Sequence, residues 1–191
     1  YHCFGMVMGN MMCAAYGAAM VYPSEGFEPL AVLRALEVER CAPSRLIVAL
    51  GDSITDGKGS TTNGNDRWTD VLAKRLQADP QRPGIAIVNQ GIGGNRLLND
   101  GLGPNALARL DRDVLAQPGV THMILLEGIN DLGTLTRDAP VSKADHAAHV
   151  ARIIGAYRQI IARAHAKGIK VIGGTIMPFV GNDYYHADAD N

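Results

Sequence analysis

Three short, polar, glycine-bearing stretches hold the residues of this chain best suited to chemistry. They are Gly51-Asp52-Ser53-Ile54-Thr55-Asp56-Gly57, Asn89-Gln90-Gly91-Ile92-Gly93-Gly94-Asn95 and Gly128-Ile129-Asn130-Asp131. Ser53 offers a hydroxyl nucleophile, which attacks a carbonyl only when a base takes its proton. Acyl transfer also needs donors aimed at the developing oxyanion. The Gly91–Gly94 turn can expose backbone N–H groups, because glycine tolerates positive φ and close approach. The Asn130 amide can add another donor. Together these residue types suit attack on an ester or a related acyl group, provided the fold brings them to one place.

The elements around them do so. Leu46–Leu50 is a continuous apolar run of strand length, as for a central strand buried on both faces. Ile85–Val88, His122–Leu126 and about Lys170–Ile176 read as three further strands. Helical spacing appears in Trp68–Leu76 and Leu107–Leu115. The strongest helix is Lys143–Ala166, with Ala147, Val150, Ile153, Ile154, Tyr157, Ile160, Ile161 and Ala164 forming its stripe. Ser142 is its predicted N-cap, and Gly168 sits where a left-handed C-terminal residue belongs. Strands alternating with helices predict a doubly wound parallel sheet. In such sheets ligands bind at the carboxyl ends of the strands, and each of the three stretches directly follows a strand.

Other motifs fail on spacing. A phosphate-binding loop needs Gly-x₄-Gly-Lys-Ser/Thr, but five residues separate Gly51 from Gly57, and Gly59 follows Lys58. A dinucleotide fingerprint starting at Gly91 would need glycine where Arg96 stands. A Gly-x-Ser-x-Gly elbow fails at Thr55.

The 191 residues suffice for one α/β domain, and 47% hydrophobic with 19% charged residues is a globular composition. A net charge of −1 and the lack of a basic run with aromatics argue against nucleic acid as a partner. Cys3, Cys13 and Cys41 lack metal-binding spacing, and an odd number forms no closed disulfide framework. The first 24 residues carry no Asp, Glu, Lys or Arg, and they hold Met6, Met8, Met11, Met12 and Met20. A secretory-signal remnant is one reading, but there is no basic n-region, and Gly5, Gly9, Asn10 and Gly17 break the apolar run. An irregular or strand-rich segment packed on the main domain is the other. Gly and Asn interruptions followed by Pro23 argue against a membrane span. The compartment stays open, with a secreted or extracytoplasmic one preferred. A composition change near residue 44 separates a segment 1–44, a leader or the remainder of an upstream module, from a domain 45–191.

In order and in position, the three stretches resemble blocks I, II and III of the SGNH/GDSL hydrolases, a family of serine esterases and acylhydrolases. The resemblance covers about residues 45–178. It implies a flavodoxin-like three-layer α/β/α sandwich with a parallel sheet. It implies Ser53 as nucleophile, with its own N–H, the Gly94 N–H and the Asn130 side chain as the oxyanion hole. Asn89 and Gly91 would belong to the framework of block II, Gly51 and Asp52 to that of block I. No cofactor or metal is implied. The substrate would be a small-molecule or carbohydrate ester with a short acyl group, such as acetyl.

The family's fourth block, an Asp-x-x-His near the C-terminus that supplies the base, has one formal match, Asp183-Tyr184-Tyr185-His186. It comes earlier than in relatives, so the expectation is a C-terminally incomplete domain lacking its last strand and helix, with a chain that is itself nearly inert. His122 lies at the wrong end of its strand, and His146, His149 and His165 read as solvated helix positions. Asp131 reads as a hydrogen-bond partner of the block III turn. Arg67 and Arg96 read as surface salt-bridge formers, a substrate carboxylate or sugar being the other possibility for them. A non-catalytic ligand-binding module that kept the cleft and lost its base is the alternative to the enzyme.

Overall fold

The computed structural model describes residues 45–81 and 84–176, all within the unit Ser44–Asn191. Segment 1–44 and the Asp183/His186 pair lie outside the described residues. Four strands form one parallel sheet: β1 Arg45–Gly51, β2 Ile85–Gly91, β3 Val120–Leu126 and β4 Lys170–Gly173. The spatial order is β2-β1-β3-β4. β1 runs in register with β2 from Arg45↔Ile85 to Gly51↔Gly91, and with β3 as far as Gly51↔Leu126. The β1 run is central because both faces are covered, and Val48, Ala49 and Leu50 are fully buried. This arrangement fits the α/β sandwich of the SGNH hydrolases.

Chain reversal around β1 fixes where a ligand can go. From β1 the chain moves to β2 on one side, then crosses back to β3 on the other. The carboxyl ends of β1 and β3 therefore diverge into a crevice, the topological switch point of an open sheet.

Helices fill the connections. α1 (Ser53–Asp56) and α2 (Trp68–Gln77) lie between β1 and β2. α3 (Ala106–Leu110), continued by one π-helical turn over Asp111–Leu115, precedes β3. α4 (Ile129–Thr136) and α5 (Lys143–Ala166) follow it. α5 keeps its predicted ends: the Ser142 side chain accepts the Asp145 N–H at 3.1 Å, and Gly168 has φ +72°. Its buried stripe is narrower than the sequence suggests. His149, Ile153, Ala156, Ile160 and Ala164 face inward, while Ile154 and Ile161 at the stripe's edge are exposed. β4 is shorter than predicted; after Gly173 a single further bond, Gly174 N–H to the Leu125 carbonyl, extends the ladder. Among the described residues no helix is long and apolar enough to cross a membrane.

Candidate active site

Block I is a tight turn built on its own side chains. β1 ends at Gly51, and Asp52 caps α1 by accepting the Ile54 N–H at 2.9 Å. Ser53 is thus the first residue of a short helix, where backbone N–H groups have no intrahelical acceptor. Among the described residues nothing accepts the N–H of Ser53 or of Gly94. The Ser53 carbonyl takes the N–H groups of Gly57 and Lys58 at 2.9 and 2.8 Å, which closes the turn. Arg67 stays on the surface, its Nε donating to the Asp56 carbonyl at 2.7 Å.

Block II leans on block I. Asn89 Nδ2 donates to the Thr55 carbonyl at 2.6 Å and to Thr69 Oγ1 at 3.0 Å, while its Oδ1 accepts the Gly91 N–H at 2.8 Å. Gly91 sits so close to α1 that a Cβ there would lie 2.2 Å from the Asp56 nitrogen. The turn that follows closes with Asn95 N–H on the Ile92 carbonyl at 3.0 Å, and it puts Gly94 at φ +74°.

Block III grips block II. Block III reads as a turn from the sequence, but Ile129–Thr136 is helical, with Gly128 at φ +106° turning the chain into it. Buried Asn130 donates from Nδ2 to the Asn95 carbonyl at 2.9 Å. An amide nitrogen has two hydrogens, so one holds the site and the other is left for a ligand. Asp131 does not close its own turn. Its two oxygens accept the Leu97 and Leu98 N–H groups at 2.8 and 3.1 Å, which pins the end of block II to α4.

Beneath the site lies a polar cluster that reading the sequence missed. Arg109, fully buried on α3, donates to the Gly51 carbonyl at 3.0 Å, the Gln90 carbonyl at 2.7 Å and Asn95 Oδ1 at 2.9 and 3.0 Å. It also pairs with Asp113 at 3.0 Å and with Glu127 at 3.4 Å. One guanidinium thus ties together the ends of β1, β2 and β3. The available signal was the Arg109/Asp113 spacing of four residues, on the same face as Leu110 and Val114. Burial, then repulsion from Asp52, push the Glu127 carboxyl up to about 8 despite Arg109. Burial also raises Asp52. Tyr157, whose hydroxyl donates to the Glu127 carbonyl, is pushed up to about 12 by burial and by Glu127.

The histidines divide. His122 is half-buried in β3, its Nδ1 2.9 Å from Thr121 Oγ1. His165 is exposed and His146 half-buried. His149 departs from the solvated position read for it: it is 5% exposed, with Nε2 3.1 Å from the Asp131 carbonyl and Nδ1 3.1 Å from Arg152 Nη2. Contact with α4 draws it inward. Gly94 and Asn130 share the wall of a cavity of about 560 Å³ with Leu102, Thr134, Leu135 and His149. Ser53 stands on the same edge of the sheet, outside that lining.

A profile of the GDSL-like lipase/acylhydrolase family matches residues 49–191. The chain belongs to that family. The chain is similar in fold to an acetyl xylan esterase, AlAXEase, with a TM-score of 0.50 at 21% identity over 67% of this chain and 56% of that one. AlinE4, an SGNH-hydrolase family esterase, has a TM-score of 0.42 at 18% identity, over 67% of this chain and 75% of its own. A stretch of 41 residues is 56% identical to the acyl-CoA ligase SID4 of Ajellomyces capsulatus, covering 22% of this chain and 7% of the ligase. The chain therefore spans little more than half of the xylan esterase and a small fraction of the ligase.

Proposed function

We propose that this GDSL-family protein hydrolyses carboxylic esters through an acyl-enzyme on Ser53. The Ser53 oxygen adds to the ester carbonyl as its proton passes to a base. The Ser53 and Gly94 N–H groups and the second N–H of Asn130 receive the oxyanion. The carbonyl re-forms, the alcohol leaves with a proton, and water then releases the acid and restores the serine. Small-molecule or carbohydrate esters with short acyl groups, acetyl foremost, are the substrate class. The base is assigned to an Asp-x-x-His pair, whose one formal match in this sequence, Asp183 and His186, comes earlier than in relatives. Residues 1–44 are read as a leader or the remainder of an upstream module preceding the domain 45–191.

One observation carries the reading. Ser53 and Asn130 follow the two strands that part at the switch point, and the N–H groups of Ser53 and Gly94 have no acceptor among the described residues. Hydrolysis of 4-nitrophenyl acetate by the full protein tests it. Ser53→Ala should lower kcat by roughly 10⁴-fold or more, as loss of a triad member does, with the fold intact by circular dichroism. Unchanged hydrolysis would refute the assignment. Binding of acetyl esters with no turnover by the unsubstituted protein would favour a non-catalytic binding module.

A further inference from the structure

The cavity that contains Gly94 and Asn130 is strongly polarised. Arg96 from the loop after β2, Arg137 just past α4 and Arg152 on α5 all line it, and among the described residues the one carboxylate in the lining is Asp131. Asp131 is already engaged, since its two oxygens accept the Leu97 and Leu98 N–H groups. Arg137 pairs with Asp138 at 3.0 Å. The other two arginines differ from the chain's paired ones. Arg96 donates to the Asp100 backbone carbonyl and Arg152 contacts the His149 ring; among the described residues neither meets a carboxylate. A guanidinium carries five N–H donors in a planar fork, so each has donors to spare at the cavity wall.

His149 explains how Arg152 is held. Arg152 can only donate, so its 3.1 Å contact makes His149 Nδ1 the acceptor. The proton is then on Nε2, which donates to the Asp131 carbonyl at 3.1 Å. The ring is buried, and in this tautomer it is neutral and adds no charge of its own. It links Arg152 to the helix that carries Asn130. A guanidinium fixed in this way loses less freedom on binding a planar anion than one on a free surface chain. Leu102 and Leu135 supply apolar wall, and about 560 Å³ is ample for a small acyl or alcohol group bearing a charge.

We infer that this cavity is a subsite for an anionic group, a carboxylate or a phosphate, borne by the ester substrate and held by Arg96 and Arg152. The inference rests on the Ser53/Gly94/Asn130 reading for its place beside the reacting carbonyl. It narrows the substrate class from short esters in general to short esters with a negative charge on the acyl or alcohol part.

Binding can be tested without turnover, using amides that resist hydrolysis. Calorimetric titration of the full protein would compare 4-acetamidobenzoate and 4-acetamidophenyl phosphate with the neutral 4-acetamidobenzamide. At low ionic strength at least one anion should bind about ten-fold more tightly than the neutral amide, with the advantage shrinking as salt is added. Arg152→Gln and Arg96→Gln should each remove most of that advantage. Arg75→Gln, on the exposed side of α2, should leave it intact. The tighter of the two anions identifies the group. Equal binding of charged and neutral probes, or full preference retained in both R96Q and R152Q, would overturn the inference. The two readings fail separately. Loss of 4-nitrophenyl acetate hydrolysis in S53A without anion preference sinks only the subsite. Anion preference with S53A as active as the unsubstituted protein sinks only the nucleophile.

Discussion

Replacing Glu127 with glutamine should change how the stability of this protein depends on pH. Glu127 is fully buried just past β3. Its Oε1 lies 3.4 Å from Arg109, a loose contact, and its Oε2 has no partner among the described residues. Arg109 is shared with Asp113 at the shorter distance of 3.0 Å and with the Gly51 and Gln90 carbonyls. Burial and the neighbouring Asp52 therefore prevail, and the carboxyl is raised from an ordinary 4.5 to about 8. Between those two values the folded protein holds a proton that the unfolded chain has released. Stability must then fall as pH rises through this window, by at most about 1.4 kcal/mol per pH unit, and level off above it. The contribution is fully present below the unfolded value and lost by the time pH passes the folded one.

Glu127→Gln keeps the shape and cannot ionise. Relative to the unsubstituted protein, its stability should rise by a few kcal/mol between about pH 5 and about pH 8, the two being within about 1 kcal/mol at the acid end. Urea denaturation followed by circular dichroism at three or four pH values across that range measures the difference directly. A difference that stays constant with pH would show that Glu127 is ionised in the folded protein as a true partner of Arg109. That result would refute the reasoning above.

Arg109→Met should cost about 3–5 kcal/mol in urea denaturation, because it strands Glu127 and Asn95 Oδ1 in the interior, while Asp113 keeps Arg112 and the Gly51 carbonyl keeps the Ile92 N–H; a loss under about 1 kcal/mol would mean water or repacking satisfies them. Gly91→Ala would drive a methyl to 2.2 Å from the Asp56 nitrogen and should lower stability by about 1–3 kcal/mol or more. Gly155→Ala meets nothing within 4 Å on α5 and should raise stability by about 0.5–1 kcal/mol. Thermal melts of the two variants should therefore move in opposite directions, and a shift of the same sign in both would contradict the packing argument.

What the sequence disclosed was whatever depends on periodicity and on strand polarity. LIVAL at Leu46–Leu50 marks a strand buried on two faces, and it proves to be the centre of the sheet. Because parallel strands all end on one edge, the three polar stretches had to meet there. α5 was readable to its ends, since Ser142 and Gly168 are local signals that need no tertiary context. Helicity at Ile129–Thr136 was not, because Gly128 and Gly133 are poor helix formers, and tertiary bonds from Asn130 and Asp131 supply what propensity does not. His149 was misread for a related reason. On a helical wheel a histidine next to charged residues looks solvated, and only the arrival of α4 alongside buries it.

Arg109 shows where periodicity stops being informative. A charged residue in an amphipathic helix is assigned to the water side by default, yet here it is inside, beneath strand ends that present carbonyls to it. Gly51 and Gln90 present two of them, and Asn95 presents a side-chain acceptor beside them. Only a buried multi-donor group can bind all of these at once, and arginine is the side chain with enough donors. The consequence reaches the site itself. Asn95 is held by Arg109, Asn130 donates to the Asn95 carbonyl, and Asp131 fixes Leu97 and Leu98. Gly94 and Asn130 are thereby set relative to the strand ends by contacts that do not involve Ser53. The donors proposed for the oxyanion are pre-organised by the fold, before any substrate or base arrives.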